Sequence, residues 1–242
     1  MQAQAPQEHG QPQTGEPAEQ EEERINCVWV FAAGPADNLE ASTGWLPAPD
    51  RVVAADGGAM LADRLGLVPD LLIGDADSAD PALLARLLQQ GVIFRRYEHT
   101  TKAETDTELA VLAALEWQPE KVYVIGATGG RLDHTLANVL LLTHEHVAPA
   151  DVRIVEGRQE VFLAKPGRWN QINGQAGDML TLLPVGDEVT GVITRHLEYP
   201  LRGETLYPGR GRGVSNRLLA PPARLRFDSG RLLVVVLHTA PL

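Results

Sequence analysis

Residues 51–78 read RVVAADGGAMLADRLGLVPDLLIGDADS, and twice in this stretch an apolar run is delivered straight into acidic residues. VVAA ends in Asp56-Gly57-Gly58, and LLI ends in Gly74-Asp75-Ala76-Asp77-Ser78. Short apolar runs alternating with helical segments predict parallel strands, and an open parallel sheet binds its ligands beyond the carboxyl ends of its strands. The carboxylates therefore stand where chemistry happens. Acidic groups gathered at one sheet edge repel one another unless they share something positive, and a hard divalent cation with oxygen ligands meets that need. Mg²⁺ acting on a phosphorylated substrate is the leading reading.

Two further segments repeat the pattern. After the apolar GVIFR run comes TKAETDTE, residues 101–108, opening a helix whose Leu109, Leu112, Ala113 and Leu115 recur at helical spacing. The run VYVI is followed by GATGGRLDH, residues 126–134, and then by the apolar TLANVLLLTH. Small residues let backbone N–H groups approach phosphate oxygens, a helix start favours anions, and Arg131 adds a charged fork. Neither G-x-x-x-x-G-K-[ST] nor G-x-G-x-x-G occurs in the chain, so the common nucleotide fingerprints do not explain the site.

ADGGA, PDLLIGDADS, ETDTE, GATGGRLDHTLAN, TLLPVGDEVTGV and GVSN, in that order, resemble the motifs of thiamine pyrophosphokinases from about Ile25 to the C-terminus. The resemblance implies transfer of a diphosphoryl group from ATP to the hydroxyl of thiamine, with release of AMP. It implies Asp75, Asp77 and Asp106 as the catalytic, Mg²⁺-binding carboxylates, and Lys102, Thr105, Gly129, Gly130 and Arg131 as ATP contacts. Asp56, Asp133, Ser215 and Asn216 become candidate thiamine contacts, with the site shared across a homodimer. The chain departs from the family pattern at Ala76, where an aromatic is common, at Ala103, where Asp is common, and in RLLVVVLH, which has no tryptophan to stack on the pyrimidine.

A bland reading stands beside each of these residues. Asp56 can end a strand, Asp133 can cap a helix, Glu108 fits a capping box with Thr105, and Ser215-Asn216 suits a β-turn. Asp75 and Asp77 have the weakest structural excuse, because two carboxylates one residue apart after a buried strand cost repulsion with no packing gain. His134 is expected to pack or cap at the start of its helix, and His144, Glu145 and His146 to be surface residues. A pterin pyrophosphokinase, a D-x-D phosphatase using Asp75 and Asp77, and a non-enzymatic nucleotide or thiamine sensor are the alternatives.

Composition bounds the rest. The 242 residues, 44% hydrophobic, suffice for two cores. The net charge of −11 excludes the basic footprint of a nucleic-acid-binding surface. The single cysteine, Cys27, excludes an internal disulfide and reads as packed core. No run approaches the length of a membrane helix, and no signal peptide is evident, so a cytoplasmic protein is expected. Residues 1–24, rich in Gln, Glu and Pro, form a disordered acidic tail on this reading. The fold class is α/β: a Rossmann-like parallel-sheet domain over 25–157, with strands near 27–33, 51–55, 71–74, 92–95, 121–125 and 151–155. A C-terminal antiparallel β-sandwich over 158–242 follows, built from EVFLA, MLTLLPV, GVIT, ARLRF and LLVVVLH. EGRQ, residues 156–159, is the expected turn between them.

Overall fold

Strand β1 (Cys27–Phe31) is buried at all five positions. Val28 and Val30 point into one hydrophobic cluster, and Cys27, Trp29 and Phe31 into another. A strand that is apolar on both faces must be covered on both, which is the condition for a parallel sheet sandwiched by helices. The computed structural model, which describes residues 24–35, 37–75, 80–97 and 103–239, has this arrangement. Around β1 lie β2 (Arg51–Ala55), β3 (Leu71–Gly74), β4 (Ile93–Arg96), β5 (Lys121–Ile125) and β6 (Val152–Glu156). They are parallel, in the order β4-β3-β2-β1-β5-β6. The thiol of Cys27 is packed core, and burial pushes its pKa up to about 11.

The connecting helices are α1 (Leu39–Thr43), α2 (Ala59–Arg64), α3 (Pro81–Gln89), α4 (Asp106–Glu116) and α5 (Leu132–Leu141). Local chemistry sets their starts. Asp80 caps α3 by accepting from the N–H of Ala82 at 3.0 Å with Pro81 in the first turn, and Thr105 caps α4 by accepting from the N–H of Glu108 at 3.1 Å. Helix α4 buries Ala110, Val111, Ala113 and Ala114, side chains small enough to let it lie close on β1, β2 and β3.

The chain runs from β1 outward to β4, then returns to β5 on the other side of β1. That reversal makes the β1–β5 boundary the topological switch point, where the loops beyond the strand ends diverge and leave a crevice. The turn after β2 is pressed against the end of β1: a Cβ on Gly58 would lie 2.1 Å from the carbonyl oxygen of Phe31. Backbone cannot yield cheaply there, so Gly58→Ala is expected to destabilise the protein by about 1–3 kcal/mol. Urea unfolding checks this, and an unchanged midpoint would show that the close approach is relieved at no cost.

A two-residue turn, Gly157-Arg158, joins β6 to the antiparallel β7 (Gln159–Ala164), and the sheet continues into the second half of the chain without a break. There β8 (Asn170–Ile172), β9 (Met179–Arg195), β10 (Arg202–Leu206), β11 (Asn216–Arg217), β12 (Ala223–Arg226) and β13 (Ser229–Leu237) form two layers. The first half of β9 pairs with β13, which pairs with β7; its second half pairs with β12 and β10. Phe162, Leu180, Leu182, Val192, Leu225, Phe227, Leu232 and Val234 fill the space between the layers. At roughly 1.5–3 kcal/mol for each large side chain removed from water, this core is the main force holding the sandwich. Among the described residues, no helix is long and apolar enough to cross a membrane.

Candidate active site

The strand ends at the switch point open into one cleft of about 780 Å³. It is lined by residues 32–35 after β1, Ala55 and Asp56 after β2, Asp75 after β3, residues 103–107 leading into α4, residues 126–131 after β5, and His134 and Asn138 of α5. The volume suits a nucleotide-sized ligand. Of the residues singled out in the sequence, Asp56, Asp75, Thr105, Asp106, Gly129, Gly130 and Arg131 line this cleft together. Asp77 and Lys102 lie outside the described residues, as does Ser78.

One wall is acidic. Asp56 is buried and held at φ 47°, a left-handed conformation unusual for a residue with a side chain. Such strain at the mouth of a cleft is characteristic of functional positions. Gly74 makes room for it, since a Cβ on Gly74 would stand 3.1 Å from the Cβ of Asp56. Asp75 follows at the end of β3, and Asp106 is the first residue of α4, where the helix start also favours anions. Glu108 does not line the cleft; its carboxylate stands 3.9 Å from Nε2 of His144.

The lining contributed by the loops after β1 and β5 is neutral or positive. Gly126, Gly129 and Gly130 have φ values of 71°, 82° and 60°, so this loop needs glycine at all three positions. The loop after β1 is packed on it: Gly34 donates its N–H to the carbonyl of Gly126 at 2.8 Å, and a Cβ on Gly34 would sit 2.3 Å from that oxygen. Sequence reasoning missed residues 32–35, because Ala, Gly and Pro carry no side-chain chemistry to notice. It also misjudged His134, which is exposed in the cleft rather than packed or capping. The spacing of His134 and Asn138, four residues apart on a helix, was the available signal that both share one face.

Arg131 and Asp133 form a fork at the rim. Nε of Arg131 donates to Oδ1 of Asp133 at 3.1 Å, and Nη2 donates to Oδ2 at 2.5 Å. The hydrogen bonds from Arg131 hold the Asp133 carboxyl down to about 2. A guanidinium has five N–H donors, so three remain for another ligand while Asp133 fixes the plane of the group. Asp133 itself does not line the cleft.

Ser215 and Asn216 lie in the sandwich, away from the cleft of the same chain. Asn216 is buried, with its amide committed to the chain: Oδ1 accepts from the N–H groups of Tyr199 and Arg217 at 3.0 and 2.9 Å, and Nδ2 donates to the carbonyl of Tyr199 at 2.7 Å. Ser215 is exposed at φ 58°, its N–H donating to Oγ1 of Thr181 at 3.1 Å.

Comparison with known proteins names both halves of the chain. The family model "Thiamin pyrophosphokinase, catalytic domain" matches residues 45–155, and "Thiamin pyrophosphokinase, vitamin B1 binding domain" matches residues 170–232. Thiamine pyrophosphokinase of Bacillus subtilis is 24% identical over 211 residues, covering 87% of this chain and 98% of the relative. Thiamin pyrophosphokinase 1 of Caenorhabditis elegans is 24% identical over 224 residues, covering 88% and 89%. Among solved structures, thiamine pyrophosphokinase from Bacillus subtilis superposes with a TM-score of 0.79 at 23% identity, over 89% of this chain and 100% of that one. The thiamin pyrophosphokinase from Geobacillus thermodenitrificans gives 0.76 at 25% identity over the same shares. These two match the parallel sheet followed by a β-sandwich described above. With both of its domain models matched in order over well over half of its length, and with acidic and glycine-rich walls meeting in one cleft, the chain belongs to the thiamin pyrophosphokinase family of diphosphotransferases, which use ATP to make thiamine diphosphate.

Proposed function

We propose that the cleft carries out the family's reaction with Asp75, Asp77 and Asp106 as its catalytic carboxylates and Mg²⁺ held among them. The observation that carries this assignment is that Asp75, Asp106 and the loop at 126–131 line a single cleft. Among the described residues, no group of three His, Cys, Asp or Glu side chains is gathered closely enough to hold an ion. Asp77 lies outside those residues, which leaves Asp75 and Asp106 as the described carboxylates for the ion, and Mg²⁺ is usually bound by one or two carboxylates together with substrate phosphates. When bound, Mg²⁺ neutralises charge on the phosphates of ATP. The chain's own residues do the rest. Gly129, Gly130, Arg131, Thr105 and Lys102 hold the phosphates, with Asp133 aligning Arg131. The thiamine hydroxyl oxygen bonds to the β-phosphorus, the bond from that phosphorus to the oxygen bridging to the α-phosphorus breaks, and AMP leaves. The hydroxyl proton passes to a carboxylate of the acidic wall, where Asp56 balances the thiazolium charge.

On this reading residues 25–157 are the ATP- and Mg²⁺-binding half and residues 158–242 the thiamine-binding half, and the protein acts in the cytoplasm. The thiamine half works across a homodimer. Ser215 is the exposed contact to the vitamin, and Asn216 holds its segment against Tyr199. Support comes from α5, which leaves Leu132, Leu136 and Leu140 at 71%, 54% and 50% exposure in one stripe, on the helix face away from the cleft-lining His134 and Asn138. A second copy covering that stripe makes the homodimer, and the partner's sandwich supplies the thiamine half of the site. The pterin, phosphatase and sensor alternatives draw no support from matches that name one activity across both halves.

The direct test incubates protein, Mg²⁺, ATP and thiamine. AMP and thiamine diphosphate in equal amounts are expected; ADP with thiamine monophosphate, or turnover with a hydroxymethylpterin instead, refutes the assignment. Ser215→Ala is expected to raise the thiamine KM by about 3–10-fold with less effect on that for ATP, the loss of one hydrogen bond. Co-expressing an Asp75→Asn chain with an inactive Ser215→Trp chain should restore activity in mass-confirmed heterodimers. One interface then carries both lesions and the other neither. Heterodimers without activity would mean that each site is built within a single chain.

A further inference from the structure

We infer that Asn138 and Glu156 are positioning residues that hold the loop at 126–131 in its anion-binding shape, an inference that rests on reading that loop as the cradle for the ATP phosphates. Four consecutive residues of the loop are tied to the protein through their oxygen atoms, by partners from three places: the loop after β1, helix α5 and strand β6. The carbonyl of Gly126 accepts from the N–H of Gly34 at 2.8 Å. The carbonyl of Ala127 accepts from Nδ2 of Asn138 at 2.7 Å. The hydroxyl of Thr128 donates to Oε2 of Glu156 at 2.9 Å. The hydroxyl of Thr135 is shared between the carbonyls of Gly129 and Arg131, at 3.3 and 3.2 Å.

The consequence is electrostatic as well as mechanical. A loop whose carbonyl oxygens are drawn back into the protein presents its N–H groups to a ligand, and N–H groups bind phosphate. Three glycines at positive φ give this segment wide conformational freedom when it is not held. Asn138 is the interior tie, 8% exposed on α5 with its amide reaching under the loop. Glu156 is the tie from the sheet: it is the last residue of β6, and Nδ2 of Asn38 approaches its other oxygen at 3.5 Å. A carboxylate this near a polyphosphate would oppose binding if it faced the ligand. Taken up by Thr128 and Asn38, and absent from the cleft lining, it serves as an acceptor that steers the loop.

The test separates ATP from thiamine and positioning from bulk stability. Asn138→Leu, close in shape but with no donor, and Glu156→Ala are each expected to raise the KM for ATP and the dissociation constant of α,β-methylene-ATP with Mg²⁺ by about tenfold. The thiamine KM should stay within twofold. Glu156→Gln should recover ATP affinity to within twofold, because its carbonyl still accepts from Thr128. Equal losses for both substrates, unchanged binding of the analogue, or a Gln variant as impaired as the Ala variant would overturn the inference. Should Asn138→Leu fail to fold, the Glu156 pair decides alone, since that side chain is only partly buried. Hydrogen exchange on the wild-type protein tests the underlying reading separately. If the analogue binds but amides 126–131 gain no protection, the phosphates lie elsewhere and the cradle itself is wrong.

Discussion

Asp75→Asn is expected to lower turnover of ATP and thiamine by about 10²–10³-fold, in the range seen when one preorganised electrostatic contact to a transition state is lost. The substitution keeps the shape of the side chain and removes its charge, so the acidic wall loses a hard anionic oxygen without losing volume. Asp75 stands just past the last residue of β3, only partly buried and outside the hydrophobic clusters, so the fold should persist. The apparent affinity for Mg²⁺, read from turnover against Mg²⁺ concentration at fixed ATP, should weaken together with the rate. Asp77→Asn should behave alike. Near wild-type turnover at limiting Mg²⁺ in either variant would remove that residue from the proposed ion site.

The parallel half was largely legible because its signals are local. Strands β3 and β5 occupy the expected 71–74 and 121–125, each an apolar run punctuated by Gly or by polar residues. The last parallel strand is displaced by one residue, and β1 ends at Phe31 rather than near 33 because residues 32–35 turn away to pack on the loop after β5. The acidic and glycine-rich motifs were found since they concentrate chemistry in few residues. What escaped acts through backbone or from a distance: Gly34 by having no side chain, Asn138 and Glu156 by holding others. The sandwich was harder to divide. MLTLLPV and GVIT read as separate strands broken by a turn, whereas both belong to the single 17-residue β9. Gly186 and Gly191, at φ 79° and 63°, bend that strand so that it leaves one layer and enters the other. A glycine that bends a strand and a glycine that ends one look the same in a sequence.

A buried charge network at the junction of the two halves should govern stability, and Arg153→Met is expected to cost about 3–5 kcal/mol. Arg153 on β6 donates to Oδ1 of Asp151 at 2.8 Å and to Oε2 of Glu160 on β7 at 2.9 Å, with its guanidinium 4.3 Å from the ring of Phe162. Glu160 in turn stands 3.7 Å from Nε2 of His238, whose Nδ1 lies 3.0 Å from Oδ2 of the fully buried Asp178. Trp45 meets the His238 ring edge-on at 5.1 Å and donates to the carbonyl of Gly157 in the turn between the halves. Removing Arg153 leaves Glu160 buried with its charge poorly matched, which is far costlier than losing an exposed pair. The network also sets a pH window. Burial alone would lower the pKa of His238, but the carboxylates of Glu160 and Asp178 outweigh it and raise the value above the ordinary 6.5. For Glu160 burial opposes ionisation, yet His238 and Arg153 hold its pKa below the usual 4.5. Asp178, also opposed by burial, is held below 3.8 by the N–H groups of Gln175 and Thr239 and by His238. The histidine's contribution is therefore complete below 6.5 and fades as pH rises through its raised value, while the carboxylates contribute above their ordinary values and fade as pH falls. Thermal melts from about pH 5 to pH 9 should show stability highest near the acid end of that range and declining on the alkaline side. His238→Gln should flatten the alkaline decline while lowering the maximum. A variant whose alkaline limb keeps the wild-type slope would mean that some other group titrates there and that His238 is not the proton-bearing member of the network.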